Sequence, residues 1–325
     1  MVDLDLKDRK ILYELDLNCR QSNAQIGKKV GLSRKVVEYR IKRMEDEGVI
    51  TGYWTAINNY KLGYYVFRIY INFIDVSSKI KKDIIDYFVN NKNVWAVLTS
   101  KGPVELDIVL WVNDVYKFNQ YWINTLQKYG PYFAKNTISI LTAVISCKKS
   151  YLLDDHKSDK LFFKTNCEGN PLTIDKFDYQ ILDNLALNAR ISLIDLATDL
   201  NTSSQTINNR IKNLVKNDII QAFRLNINPV KLGLYGCSVD FYLKDQTKRQ
   251  QILDYIIQIP NIFDIIVMNI GWCDISAQLY ISNLNDLTKI IEKVETKFPN
   301  SIKKYDYWME LICHHERWLP DMEFK

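Results

Sequence analysis

Few side chains in this sequence stand at spacings that could do chemistry. Its three histidines are His156, His314 and His315. The last two lie between Cys313 and Glu316, and adjacent strand residues point to opposite faces, so a packed or solvated pair is expected and no metal site. No Walker loop, GxGxxG or nucleophile elbow occurs, so no catalytic residue, no cofactor and no enzyme are expected. Two kinds of binding chemistry remain. Residues 33–43 hold five basic side chains against one acid. A face of this kind neutralises phosphates and reads base edges, although any solvated helix can also be charged on its outer face. The second kind is a glycine turn followed by an acid, at Gly102-Pro103-Val104-Glu105 and Gly271-Trp272-Cys273-Asp274. Such a turn could receive an ammonium group through charge-assisted hydrogen bonds, or be a plain hairpin with a solvated acid.

The elements that must carry these groups are written twice. Asp8 to Tyr65 lies on Asp178 to Tyr235 at a constant offset of 170, with about a third of the pairs identical. Lys61-Leu62-Gly63 answers Lys231-Leu232-Gly233, and Arg40-Ile41-Lys42 answers Arg210-Ile211-Lys212. Later in each copy the offset is 169, as at the two glycine turns. In the first copy, apolar positions 11, 12 and 15 mark one helix, and Ile26 and Val30 a second. After the Gly31-Leu32-Ser33 turn, Val37, Ile41 and Met44 mark a third helix over 34–47. Its outer face carries Arg34, Lys35, Glu38, Tyr39, Lys42 and Arg43. Gly48 to Tyr53 has the turn and β-rich content of a wing hairpin. In the second copy the outer face is Ser204, Gln205, Asn208, Asn209 and Lys212, after the cap Ser203, and only two residues of 203–213 are basic.

The remainder of each copy reads β-α-β-β-α-β. Phe67, Ile69, Ile71 and Phe73 alternate with Arg68, Tyr70 and Asn72, which predicts a strand with one buried face. The fold expected is α+β, in two tandem units. Each has a winged helix-turn-helix (1–63 and 172–233) and a ferredoxin-like domain (64–153 and 234–325), with an aperiodic polar linker at 154–171.

The run Ser33-x-x-Val36-Val37-x-x-Arg40-Ile41-x-Arg43-Met44-Glu45-x-x-Gly48-Val49-Ile50-x-Gly52-Tyr53 resembles the Lrp/AsnC (feast/famine) family of transcriptional regulators. The resemblance implies a sequence-specific DNA-binding regulator whose paired sheets take a small effector, often an amino acid. On that reading Ser33, Arg34, Lys35, Glu38, Tyr39, Lys42 and Arg43 meet double-stranded DNA, as do Ser203, Ser204, Gln205, Asn208, Asn209 and Lys212. The effector is implied near Gly102, Glu105, Gly271 and Asp274. The two copies would form a pseudo-dimer within one chain, open to further self-association. Asp218 and Asn201-Thr202 depart from the family pattern in the second copy, as do Pro103 and Glu105 in the first. An alternative is a siroheme decarboxylase-like enzyme, which resembles the same fused fold. Such enzymes lean on His and Arg around the second and third strands, and 94–112 and 263–281 contain neither.

Composition narrows the classes further. At 47% apolar and 25% charged the chain is globular rather than disordered. No apolar run reaches the roughly 20 residues of a membrane span. The opening residues alternate acid and leucine, unlike a signal peptide. Six scattered cysteines with no CxxC pair suit reduced thiols, so a cytoplasmic protein is expected. A net charge of +5 means that any polyanion must be met by a local patch.

Overall fold

The structure, a computed structural model, describes residues 2–153 and 161–324. Residues 154–160 of the expected linker, with His156, lie outside the described residues. The first unit opens with α1 (Leu6–Leu17), whose N-terminus is closed by a reciprocal capping box between Asp5 and Asp8. Next come α2 (Asn23–Val30) and α3 (Arg34–Asp46), capped by Ser22 and Ser33. Strand β1 (Ile50–Ile57) is the wing. The other half holds β2 (Tyr65–Phe73), α4 (Ser78–Val89), β3 (Val94–Lys101), β4 (Leu106–Val112), α5 (Val115–Tyr129) and β5 (Phe133–Cys147). Strand β6 (Leu161–Asn166) lies inside the stretch expected to be linker and pairs with β5. Of its apolar start, Leu161 stays exposed while Phe162 and Phe163 are half-buried.

The second unit repeats the order. It runs through α6 (Lys176–Leu187), α7 (Leu193–Asp199), α8 (Ser204–Lys216), β7 (Ile220–Ile227), β8 (Tyr235–Leu243) and α9 (Arg249–Ile257). It ends with β9 (Ile262–Ile270), β10 (Ile275–Ile281), α10 (Leu284–Lys297) and β11 (Ile302–Glu316). The departures from the first copy keep its backbone. Asn201 (φ +50°) and Asp218 (φ +59°) adopt the left-handed conformation of Gly31 and Gly48, which Asn and Asp tolerate best among side-chain-bearing residues.

The two units are joined at two levels. Strands β1 and β7 pair antiparallel into one ribbon. Beside it the hydrogen bonds obey the 170-residue offset: Cys19 N donates to Phe223 O, and Ala189 N to Tyr53 O. Below the ribbon each ferredoxin-like sheet has its ordinary order, β5-β2-β4-β3 and β11-β8-β10-β9. Strand β3 also pairs with β11, and β9 with β5, all antiparallel. The two sheets thereby close into an eight-stranded barrel with no open end to the pairing.

Closure corrects the expectation of one buried face per strand. Phe67, Ile69 and Ile71 pack outward under α4 and α5, with Ile84, Phe88 and Trp122. Arg68 and Tyr70 point the other way, yet are only 2% and 1% exposed, because the second sheet covers them. In the second unit Val239 and Phe241 pack under α9 and α10, and Ser238 and Asp240 are buried on the inner side. No helix among the described residues is long and apolar enough to cross a membrane.

Candidate functional site

The first candidate site is the outer face of α3 and α8. Ser33 caps α3, and its Oγ accepts from Val36 N at 3.4 Å. Arg34, Lys35, Glu38, Tyr39 and Lys42 stand exposed beyond it. Arg43 does not join them fully: its Nη2 meets the buried Asp8 at 2.6 Å. Arg40 bonds Asp5 and Asp8 at 2.7 and 2.8 Å, and burial is slight enough there that the bonds to the acids hold its pKa up. Lys42 meets Asp46 at 3.3 Å in an exposed pair, which water and salt screen.

On α8, Gln205 and Asn209 are exposed and bond each other at 2.9 Å. Ser204 and Asn208 are half-buried, Ser203 serves as cap, and Lys212 is exposed. Arg210 repeats Arg40 by binding Asp175 and Asp178. Val36, named in the family-like run, lies in the first turn of α3 and is 40% exposed.

The two glycine turns lie at separate places, each pressed on the other unit. A Cβ on Gly102 would stand 2.9 Å from Trp308 Cβ and Tyr307 O. One on Gly271 would meet Ser139 Oγ and stand 2.6 Å from Ile138 O. Both acids reach back to the end of their own unit's first strand. Glu105 accepts from Phe73 N at 2.9 Å, and Asp274 from Leu243 N at 2.7 Å. Asp274 also takes Gln246 Nε2 at 3.0 Å and Arg249 Nη1 at 3.3 Å.

A third feature lies where the ribbon covers the barrel. A cavity of about 350 Å³ has Trp54, Arg224 and Ile227 of the ribbon above it and Arg68, Leu141, Ile266 and Glu310 of the barrel below. The charges around it are mostly matched. Arg68 grips Asp107 through Nε and Nη2 at 2.8 and 2.6 Å, and lies over the rings of Tyr70 and Trp308. Asp16 takes Arg224 Nη2 and Lys149 Nζ, each at 2.6 Å. Burial alone would raise the Asp16 carboxyl, but the two cations beside it hold it low. Asp240 is answered by neutral donors, Trp272 Nε1, Trp308 Nε1 and Ser276 Oγ, at 2.7, 2.9 and 2.6 Å. Burial keeps its pKa raised in spite of them. Glu310 is half-buried and Glu316 exposed at the rim; both line the cavity, and the protein groups around them push both carboxyls up to about 7. Apart from its glycine turns, the sequence reading singled out none of the barrel interior.

Comparison with known proteins follows the architecture. The family described as winged helix-turn-helix DNA-binding matches at residues 4–51 and 174–221. An uncharacterized HTH-type transcriptional regulator of Pyrococcus horikoshii is 36% identical over 128 residues, 38% of this chain and 84% of that protein. The HTH-type transcriptional regulator LrpA of the same organism is 30% identical over 111 residues, 34% of this chain and 77% of its own length. Several other regulators are matched over less than half of their length. Among solved structures, the siroheme decarboxylase NirDL is similar over 95% of this chain and 92% of its own, with a TM-score of 0.63 at 11% identity. The sequence predicts no enzyme; a protein with the same full-length fold is one, so that expectation does not stand.

Proposed function

Since the chain belongs to the Lrp/AsnC family of transcriptional regulators, with its unit present twice, we propose that it binds double-stranded DNA through α3 and α8 and regulates transcription from the cytoplasm. The observation that carries this reading is the exposed N-terminal face of α3, where Arg34 and Lys35, beside Tyr39, have no ion-pair partner among the described residues. The N-terminal residues of a recognition helix reach the major groove first. The ribbon of β1 and β7 ties the second head to the first, so a contact made by one holds the other at high effective concentration. Arg34, Lys35 and Lys42 meet phosphates in this reading, Ser33 and Ser203 hold the backbone, and Glu38, Gln205 and Asn209 face base edges. Six free thiols among the described residues suit a reducing compartment.

The test is fluorescence anisotropy of the full chain on a random duplex, at low and then rising salt. Binding that weakens with salt is expected; no binding at low ionic strength refutes the reading.

A small effector, such as an amino acid, is proposed at the Gly271–Asp274 turn, with the Gly102–Glu105 turn as its counterpart. An ammonium group there would have to share Asp274 with Arg249. A thermal-shift screen of the common amino acids, wild type against Asp274→Ala, tests it: a shift that survives the substitution removes Asp274 from the site.

A further inference from the structure

We propose that the cavity between the ribbon and the barrel is a binding site for a small organic cation, an amine on an aromatic or alkyl body. It is separate from both sites above, and the proposal does not depend on DNA binding. Three observations carry it.

The first is the cavity itself, whose volume of about 350 Å³ falls in the range of small-molecule sites. The second is its wall. Trp54 and Trp318 stack with ring centres 3.9 Å apart, and Trp95 meets Trp318 edge-on at 5.7 Å. Phe263 and Tyr280 stack at 4.4 Å and line the same space. Aromatic faces attract a cation through the ring quadrupole.

The third is an imbalance of charge. The cations around the cavity are paired, Arg68 with Asp107, and Arg224 and Lys149 with Asp16, although Arg68 Nη1 is left without a hydrogen-bond partner among the described residues. Asp264 accepts from Ser146 Oγ at 2.7 Å. Glu310 and Glu316 have no hydrogen-bond or ion-pair partner among the described residues. For the half-buried Glu310 an unpaired carboxylate carries a cost that the exposed Glu316 at the rim does not share, and the first unit shows that the strand does not need either acid. At the offset of 169 residues, Leu141 and Cys147 occupy those two positions of β5. The acids therefore belong to one unit alone and face one cavity. A bound ammonium group would supply the charge they lack.

The same groups set a pH dependence. Glu310 faces Arg68 on β2, Asp107 on β4 and Asp264 on β9, and Glu316 faces Glu310 and Asp264. Tyr280 on β10, Cys313 on β11, Arg224 and Lys149 complete the surroundings. With both carboxyls near 7, the site is ionised at pH 8 and mostly neutral at pH 6. A permanently charged amine should bind at pH 8 and lose at least about tenfold at pH 6.

The experiment is isothermal titration calorimetry of the full chain with tyramine, tryptamine, agmatine and putrescine, and with 4-hydroxyphenylacetate as the anionic counterpart of tyramine. At least one amine is expected to bind at pH 8, to weaken at least tenfold at pH 6, and to weaken at least tenfold in Glu310→Gln/Glu316→Gln. The acid is expected not to bind. The proposal is overturned if none of the four amines binds at millimolar concentration, if the acid binds in preference, or if amine binding ignores both pH and the substitutions. The pH series on the wild type stands even if the double variant fails to fold.

Discussion

If phosphate neutralisation sets most of the DNA affinity, its salt dependence reports how many cations each head delivers. Counting sequence charges over 33–43 gives the first head five cations and the second, over 203–213, two. The structure reduces both counts. Arg40 and Arg43 are held by Asp5 and Asp8, and Arg210 by Asp175 and Asp178. Arg34, Lys35 and Lys42 remain on α3, and Lys212 on α8. Each phosphate contact contributes about 0.9 to the slope of log K against log salt. Arg34→Ala/Lys35→Ala should therefore flatten the slope by about 1.8. Between 50 and 200 mM salt, the wild type should then lose about 12-fold more affinity than this variant. Ser204→Ala/Gln205→Ala removes no charge and should leave the slope unchanged, while shifting sequence preference, since Gln can pair bidentately with adenine. The assay is a salt-titrated anisotropy series on one duplex with all three proteins. A full slope in the first variant, or a greater loss of affinity in the second, would show that the dominant contacts lie elsewhere.

Three further outcomes concern the barrel. Burial holds the Glu310 carboxyl at about 7 against an ordinary 4.5, so its contribution is complete below pH 4.5 and is lost as pH rises through 7. The melting temperature of the ligand-free chain should fall over that window, and Glu310→Gln should flatten the fall, seen by calorimetry at pH 5, 6, 7 and 8. Asp107→Asn strips a guanidinium that is 2% exposed of the carboxylate it pairs with and should cost about 3–5 kcal/mol in urea unfolding; the paired change Arg68→Met/Asp107→Leu should cost much less. Gly102→Ala places a Cβ 2.9 Å from Trp308 Cβ at φ +139° and should destabilise by roughly 1–3 kcal/mol in the same assay.

The helix-turn-helix units were legible because their signals are local. Capping residues, a three-residue turn and apolar positions three and four apart all fall within about 40 residues, and each recurs 170 residues later. What escaped was whatever depended on distant partners. Arg40 and Arg43 look free on the helix surface until α1 brings Asp8 beneath them, 32 and 35 residues away in sequence. The alternation of β2 correctly separated Phe67 from Arg68. It could not show that the polar face lies inside a barrel, since that requires β11 and β9 to close the sheets. The glycine turns were seen as sites because a glycine followed three residues later by an acid matches the resembled family's pattern. The structure shows a second reason for each glycine, the close approach of the other unit's strand.

Covalent fusion explains why the barrel interior can be unequal. In a dimer of identical units every inward residue appears twice, related by the twofold axis. Two copies of the second unit would enclose two Asp240 and two Glu310 with no Arg68, since Ser238 takes its position. Two copies of the first would enclose two Arg68–Asp107 pairs and, with Leu141 in place of Glu310, no unpaired carboxylate at that position. Joined in one chain, the units divide the interior between them. The first brings the ion pair, and the second brings Asp240 with its three neutral donors, together with the free acids at the mouth. The ribbon closes that mouth with Trp54 from the first unit and Arg224 from the second, and Arg224 is itself anchored to Asp16 on α1. Whatever occupies the cavity thus touches strands of both units and, through Asp16, the first helix of the head with the stronger basic face.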